Sequence, residues 1–389
     1  MLSDDMSTHS VMHWVEDGEE RSARWFSESG APPAARVVTA DEQLTADRAY
    51  GLACQGTALL WRGDFQNARQ MLNALANRAD RRAQKQRKPS GSSQPLSAAE
   101  AFHLHRQARS QRSRTLGALL VPLDADYAIP LKRAPDVRQA CTEAYGPATD
   151  ASVTSLRALL GVIGAHEWRT RGIDIASAGG RIHPHYGVFS PIRREYVDLV
   201  ANAPLPAAHG ESSVAFDIGT GTGVLAAILA RRGFGRVIAT DQDPRALACA
   251  RENLERLQLA DRVTVEPADL FPAGRATLVV CNPPWVPARP SSPLERGIYD
   301  PESRMLLGYL SALPAHLEPG GEGWLVLSDL AEHLGLRTRS ELLAAFDAAG
   351  LRVVERLDAR PTHPRASDPA DPLHAARAAE VTSLWRLSL

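Results

Sequence analysis

The sequence predicts an α/β chain whose second half, residues 181–389, forms a seven-stranded, mainly parallel sheet and whose first half, residues 1–180, is a mainly helical domain. Three observations carry that expectation. The short apolar run VAFD at residues 214–217 ends in a turn where Gly219, Gly221 and Gly223 alternate with small polar residues, and a helical pattern resumes at Val224. Strand-like runs follow at residues 236–240, 262–267 and 276–281, with a helix expected over residues 244–257. Beyond them, residues 300–317 and 338–349 read as helices and 323–328, 351–357 and 381–389 as strands, the last two as a hairpin-like pair.

Composition allows this division. With 389 residues, 44% of them hydrophobic, there is enough apolar side chain for a core in each of two domains. The first twenty residues are acidic and lack a basic segment followed by an apolar one, and no apolar run is long enough to span a bilayer, so a cytoplasmic location is expected. Cys54, Cys141, Cys249 and Cys281 are far apart, without the paired spacing of zinc or redox sites, and read as packed thiols with no metal. Cys281, beside Asn282, invites a nucleophile reading, but a small apolar residue closing a buried strand is the stronger one. The net charge of −1 hides an uneven distribution: residues 62–114 carry twelve arginines and lysines against Asp64, Asp80 and Glu100.

Taken in order, the residues up to about Ala40 read as a poorly ordered lead-in or a short helix, and residues 41–79 as helical, with Leu52, Leu59 and Leu60 in one segment and Phe65 to Leu75 in the next. Residues 89–95, rich in Pro, Ser and Gly, form an exposed loop. A helix starts near Ser97, with Glu100 at capping-box spacing, and runs towards Arg114; its arginines read either as a phosphate-contacting surface or as a solvated face. On it His103 and His105 point apart, which excludes a metal pair. A strand at 116–121 and helices at 137–145 and 151–163 lead to a loop-rich passage and the domain boundary near Gly180. The peptide GVFSPIRREY at residues 187–196 then enters a helix at 197–201, and residues 360–380 read as a Pro- and Ala-rich linker.

The chemistry gathers at the ends of the strands. Alternate glycines let backbone approach a ligand, and the free amides of the following helix face whatever lies over the turn, so a nucleotide-like cofactor fits Gly219, Gly221 and Gly223 together with Asp217. A nicotinamide dinucleotide fits less well, because its fingerprint places the third glycine where this chain has Val224. Asp241, at the end of the 236–240 strand, can accept hydrogen bonds from two ribose hydroxyls, and Asp269 can bond an adenine amino group. The strand at 276–281 runs directly into Asn282-Pro283-Pro284-Trp285, and Asn282 counts among the expected cofactor contacts as well as among the groups that meet the substrate. The loop after it, with Pro287, Arg289, Pro290, Pro293 and Arg296, is where substrate contacts are expected.

The order FDIGTGTG, ATD, ADLF and NPPW resembles the class I S-adenosylmethionine-dependent methyltransferases, in particular the branch with an NPPY-type motif that methylates planar nitrogens. That branch includes the ribosomal RNA guanine exocyclic-amine and release-factor glutamine enzymes. The resemblance covers roughly the last half of the chain, and it implies a Rossmann-like methyltransferase sheet with S-adenosyl-L-methionine as cofactor. The 187–196 peptide is similar to the lead-in that packs over the cofactor in the same branch.

Methyl transfer from a sulfonium is a direct displacement, so positioning is the mechanism. The Asn282 side-chain oxygen and the Pro283 carbonyl are two acceptors for the hydrogens of a delocalised nitrogen, and the paired prolines leave those acceptors without neighbouring amide donors. Trp285 offers a flat face for stacking. The basic stretch and the tryptophan together favour an exocyclic base amine of ribosomal RNA as acceptor; a protein glutamine is the alternative, and a non-catalytic scaffold of methyltransferase fold is a third reading.

Overall fold

The computed structural model describes residues 10–27, 29–87, 96–290, 294–361 and 371–389. The expected loop at 89–95, the first part of the lead-in, Pro293 and the middle of the 360–380 run lie outside the described residues. The chain separates into two compact units, Met1–Pro95 with His103–Glu167, and Leu96–Phe102 with Trp168–Leu389. The division falls at 167/168, slightly before the expected Gly180. Among the described residues no helix is long and apolar enough to cross a membrane.

The first unit has more residues in helices than in strands, but it is built on a six-stranded mixed sheet of which the sequence reading gives one strand. Its elements are β1 (Val11–Glu16), β2 (Glu19–Phe26), β3 (Arg36–Ala40), α1 (Ala46–Cys54), β4 (Thr57–Trp61), α2 (Phe65–Arg87), α3 (Ala98–Gly117), β5 (Leu119–Leu123), α4 (Arg138–Tyr145), β6 (Ser152–Ser155) and α5 (Leu156–Arg171). Strand order is β1-β2-β6-β5-β4-β3. Among the described residues up to Ala40, those of β1, β2 and β3 are therefore strands where a poorly ordered lead-in or a short helix is expected. The turn between β1 and β2 is Asp17-Gly18, both with positive φ, the backbone a two-residue hairpin requires. Leu59 and Leu60 lie on β4, which is buried at all five positions; so short an apolar run cannot be told from a buried helical segment by periodicity. The helix expected at 151–163 begins instead as β6, whose Ser-Val-Thr-Ser sequence favours a strand over a helix, and continues as α5. The capping box at Ser97 and Glu100 forms as expected.

In the second unit the elements are β7 (Ile173–Ile175), β8 (Gly180–Ile182), α6 (Arg194–Asn202), β9 (Val214–Ile218), α7 (Val224–Arg231), β10 (Arg236–Asp241), α8 (Pro244–Arg256), β11 (Val263–Pro267), β12 (Ala276–Cys281), α9 (Arg304–His316), β13 (Leu317–Ser328), α10 (Leu330–His333), α11 (Arg339–Ala348), β14 (Arg352–Ala359), α12 (His374–Ala379) and β15 (Thr382–Ser388). The seven-stranded sheet runs β11-β10-β9-β12-β13-β15-β14, parallel except for β15, as the sequence predicts. α12 stands where a plain linker is expected.

Helices cover both faces of this sheet. One core holds Tyr196 and Val200 of α6 with Val224 to Ala230 of α7, a helix whose apolar side chains run all the way round and are accordingly buried. The other holds Leu306, Tyr309 and Leu310 of α9 with Phe216, Ile218 and Val279. Chain order reverses between β9 and β12, the switch point where open α/β sheets bind ligands. Thr240, Ile218 and Cys281 form one row across β10, β9 and β12, so Gly219, Asp241 and Asn282 all leave the sheet at the same edge.

Candidate active site

The turn after β9 is built around a buried carboxylate. Asp217 is 1% exposed, and its Oδ2 accepts from Thr220 Oγ1 (2.6 Å) and from the amide of Ala226 (3.0 Å), in the first turn of α7. It thus ties the strand to the helix start and satisfies one of that helix's open donors. Burial pushes its carboxyl up to about 6 against the two hydrogen bonds, and the charge of Asp241 adds to the rise.

The three glycines, all at positive φ, do different things. A Cβ added at Gly219 would meet Met305 Cε at 2.5 Å, and one at Gly223 would meet Ala250 Cα of α8 at 3.2 Å. A Cβ at Gly221 would meet nothing within 4 Å. Open space therefore lies over Gly221, while Gly223 lets α8 pack closely against the turn. Gly221 N donates to Asp241 Oδ2 (3.0 Å), and the amide of Asp243 donates to Asp241 Oδ1 (2.9 Å). A carboxylate with two acceptor positions filled keeps two more for hydroxyls. Burial raises the Asp241 pKa above the usual range. The turn and Asp241 fit a ribose-bearing cofactor on these grounds. Asp269 sits farther out, exposed and ion-paired with Arg304 at 2.8 Å, so an adenine amino group would share it with that cation.

The chain just before the 187–196 peptide is fastened to the glycine turn by Asn253 of α8, a fully buried residue whose role the sequence did not disclose. Its Oδ1 accepts from His183 N (2.7 Å), and its Nδ2 donates to Thr222 O (3.0 Å). Val188 buries against Ala246 and Cys249. Farther along, Phe189 closes on Gly297 of the loop after Trp285, where a Cβ would approach it to 2.8 Å. The lead-in and that loop thus meet beside the sheet edge.

Between them lies a cavity of about 340 Å³, walled by Phe189, Ile192, Tyr196, Trp285, Val286, Ile298 and Leu330, with Asn282 and Pro283 at its edge. Its polar lining includes Ser190, Arg193, Arg377 and Glu380. Trp285 Nε1 donates to Asn282 Oδ1 (2.9 Å), and the Arg193 guanidinium stacks 4.6 Å from the indole ring. Arg193 donates in turn to Glu195 Oε1 (2.6 Å) and to Glu380 Oε1 (3.0 Å). Both carboxylates are buried.

The structure therefore brings Asn282, Pro283 and Trp285 together and adds Arg193, Glu195 and Glu380. The Arg193–Glu195 pair is local, but Glu380 is 187 residues from Arg193, beyond any spacing signal. Cys281 is fully buried and its thiol is held well above the usual range by desolvation, which fits packing and not a nucleophile.

Residues 179–348 match the model of a family described as the methyltransferase small domain. A release factor glutamine methyltransferase of Cereibacter sphaeroides is 34% identical over 158 residues, covering 37% of this chain and 55% of that protein. A ribosomal protein L11 methyltransferase of Chloroflexus aurantiacus is 35% identical over 149 residues, covering 36% of this chain and 43% of that protein. The chain spans about half the length of these relatives. Among solved structures, a SAM-dependent methyltransferase from Thiobacillus denitrificans in complex with S-adenosyl-L-homocysteine aligns with a TM-score of 0.34 and 17% identity, over 51% of this chain and 92% of that one. A likeness that distant carries no chemistry across.

Proposed function

We propose, from the premise that residues 179–348 are an S-adenosyl-L-methionine-dependent methyltransferase domain, that the protein is an N-methyltransferase acting on a planar amide nitrogen of a protein. The observation that carries the reading is that Asn282 and Pro283, which each carry an acceptor oxygen, line the cavity at the sheet edge that also bears Gly221 and Asp241. Gly221, Asp217 and Asp241 would hold the cofactor, which supplies an electrophilic methyl group when bound. Asn282 and Pro283 orient the acceptor nitrogen through its hydrogens and draw electron density onto it as it attacks. The apolar walls keep water from competing.

Two observations favour a protein amide over an RNA base. Within the basic stretch, Arg62 pairs with Glu16, Arg78 with Asp47 and Arg112 with Asp80, so three of its twelve cations are already engaged by acids of the same chain. The Trp285 ring is covered by Arg193, which pairs with Glu195 and Glu380, and Arg377 of the same cavity pairs with Asp371, so both cations of the lining are engaged by carboxylates and not set out for a phosphate. The names of the relatives, a glutamine and a ribosomal protein methyltransferase, agree with this choice. The test is transfer of labelled methyl from S-adenosyl-L-methionine into an extract of cells lacking the protein, followed by separation of RNA from protein. Label in protein is expected. Label confined to RNA would restore the base-amine reading, and label in neither would leave a scaffold.

A further inference from the structure

We propose that Trp285 is a positioning residue that fixes which end of the Asn282 carboxamide faces the reacting nitrogen, and that Arg193, braced by Glu195 and Glu380, fixes Trp285. The inference rests on the methyl-transfer reading of this site. A carboxamide has an acceptor end and a donor end of nearly the same shape. Only the oxygen end helps an N–H nucleophile; the NH₂ end would set donor against donor. The indole N–H is a donor and nothing else, so at 2.9 Å it is satisfied by the oxygen of Asn282 alone. It takes one lone pair of Oδ1 and leaves the other for the substrate. A phenylalanine or tyrosine at this position has no ring N–H to give.

The indole is itself held. The Arg193 guanidinium carbon sits over it, 4.6 Å from the ring centroid, and the guanidinium is clamped by Nε to Glu195 Oε1 and by Nη1 and Nη2 to Glu380 Oε1. Glu380 also accepts from Ser328 Oγ at 2.6 Å. With side chains of the two acids only 4% exposed, one cation faces two desolvated carboxylates and has no competing partner in water. The brace draws on the lead-in, on α6, on the end of β13 and on the approach to β15. This assigns Trp285 a role opposite in kinetic signature to a stacking platform: a platform contributes to substrate binding, whereas an orienter contributes to the reacting state.

The experiment compares the parent with Trp285→Phe, Arg193→Lys and the double variant in the labelled-methyl assay, over a dilution series of the extract, with S-adenosylhomocysteine affinity measured alongside. Trp285→Phe is expected to lower kcat about tenfold with KM and cofactor affinity nearly unchanged, and Arg193→Lys to act in the same direction. The double variant should be no worse than Trp285→Phe alone, because Arg193 acts through the indole. A raised KM with unchanged kcat, or additive losses, would overturn the proposal. If the parent itself transfers no label, the methyl-transfer reading fails separately, and the positioning is then decided by the side-chain NH₂ resonances of Asn282 in ¹⁵N-labelled protein. These should move in both single variants; resonances unmoved in both overturn it.

Discussion

Asp217 is the residue most exposed to a pH test. Its carboxyl titrates at about 6 in the folded chain against 3.8 for the free group. A folded value above the unfolded one means that Asp217 contributes most below about pH 4, and that this contribution is lost as pH rises through 6. The asparagine variant keeps an acceptor for the Ala226 amide and cannot ionise. Its unfolding free energy, measured without cofactor, should therefore gain on the parent by roughly 2–3 kcal/mol between pH 4 and pH 7. A pH-independent difference would show that the carboxyl is not held in that state. The glycines give a second test at this scale. Gly221→Ala should abolish measurable S-adenosylhomocysteine binding at about 1 kcal/mol of backbone strain, because the space over it is open in the protein itself. Gly223→Ala should cost more stability, since its new carbon meets Ala250. Calorimetry and thermal melts on the two variants separate these outcomes.

At the scale of elements, the strongest tie within the second sheet joins β15 to β13. Arg386 donates to both oxygens of Glu322 (2.9 and 2.8 Å), and each side chain is 9% exposed. Glu322 also accepts from Trp324 Nε1, and Arg386 reaches Glu355 on β14. Arg386→Ala leaves Glu322 buried and unpaired and should cost about 3–5 kcal/mol, whereas replacing both partners by apolar residues should cost far less. Denaturant titration of the single and double variants checks this. The same sheet was legible in the sequence, because three of its seven strands end in a residue type with its own signal: the glycine turn after β9, Asp241 on β10 and Asn282 after β12. The first sheet was legible only at β5, which the strand expected at 116–121 overlaps. β4, apolar but for Thr57, is buried at all five positions, as strands covered on both faces are, and the Asp17-Gly18 turn was a local sign of a hairpin that reading for helices passed over. α12 and Glu380 escaped because their partners lie far away along the chain.

For the whole molecule, the first unit lies outside the matched residues 179–348, and within it Arg62, Arg78 and Arg112 pair with acids of the same unit. A phosphate-anchored acceptor would make transfer fall steeply with salt, by about 10³-fold or more from 50 to 200 mM for six contacts. The protein-amide reading predicts a change of only about threefold over that range. The central claim is that Asn282 serves the reacting nitrogen and not the cofactor. Measuring S-adenosylhomocysteine affinity and methyl transfer side by side for the parent and Asn282→Ala tests it most directly. An affinity within about twofold of the parent and a transfer rate lower by roughly 10²-fold or more is the predicted result. Affinity and transfer falling together, or transfer left intact, would contradict it.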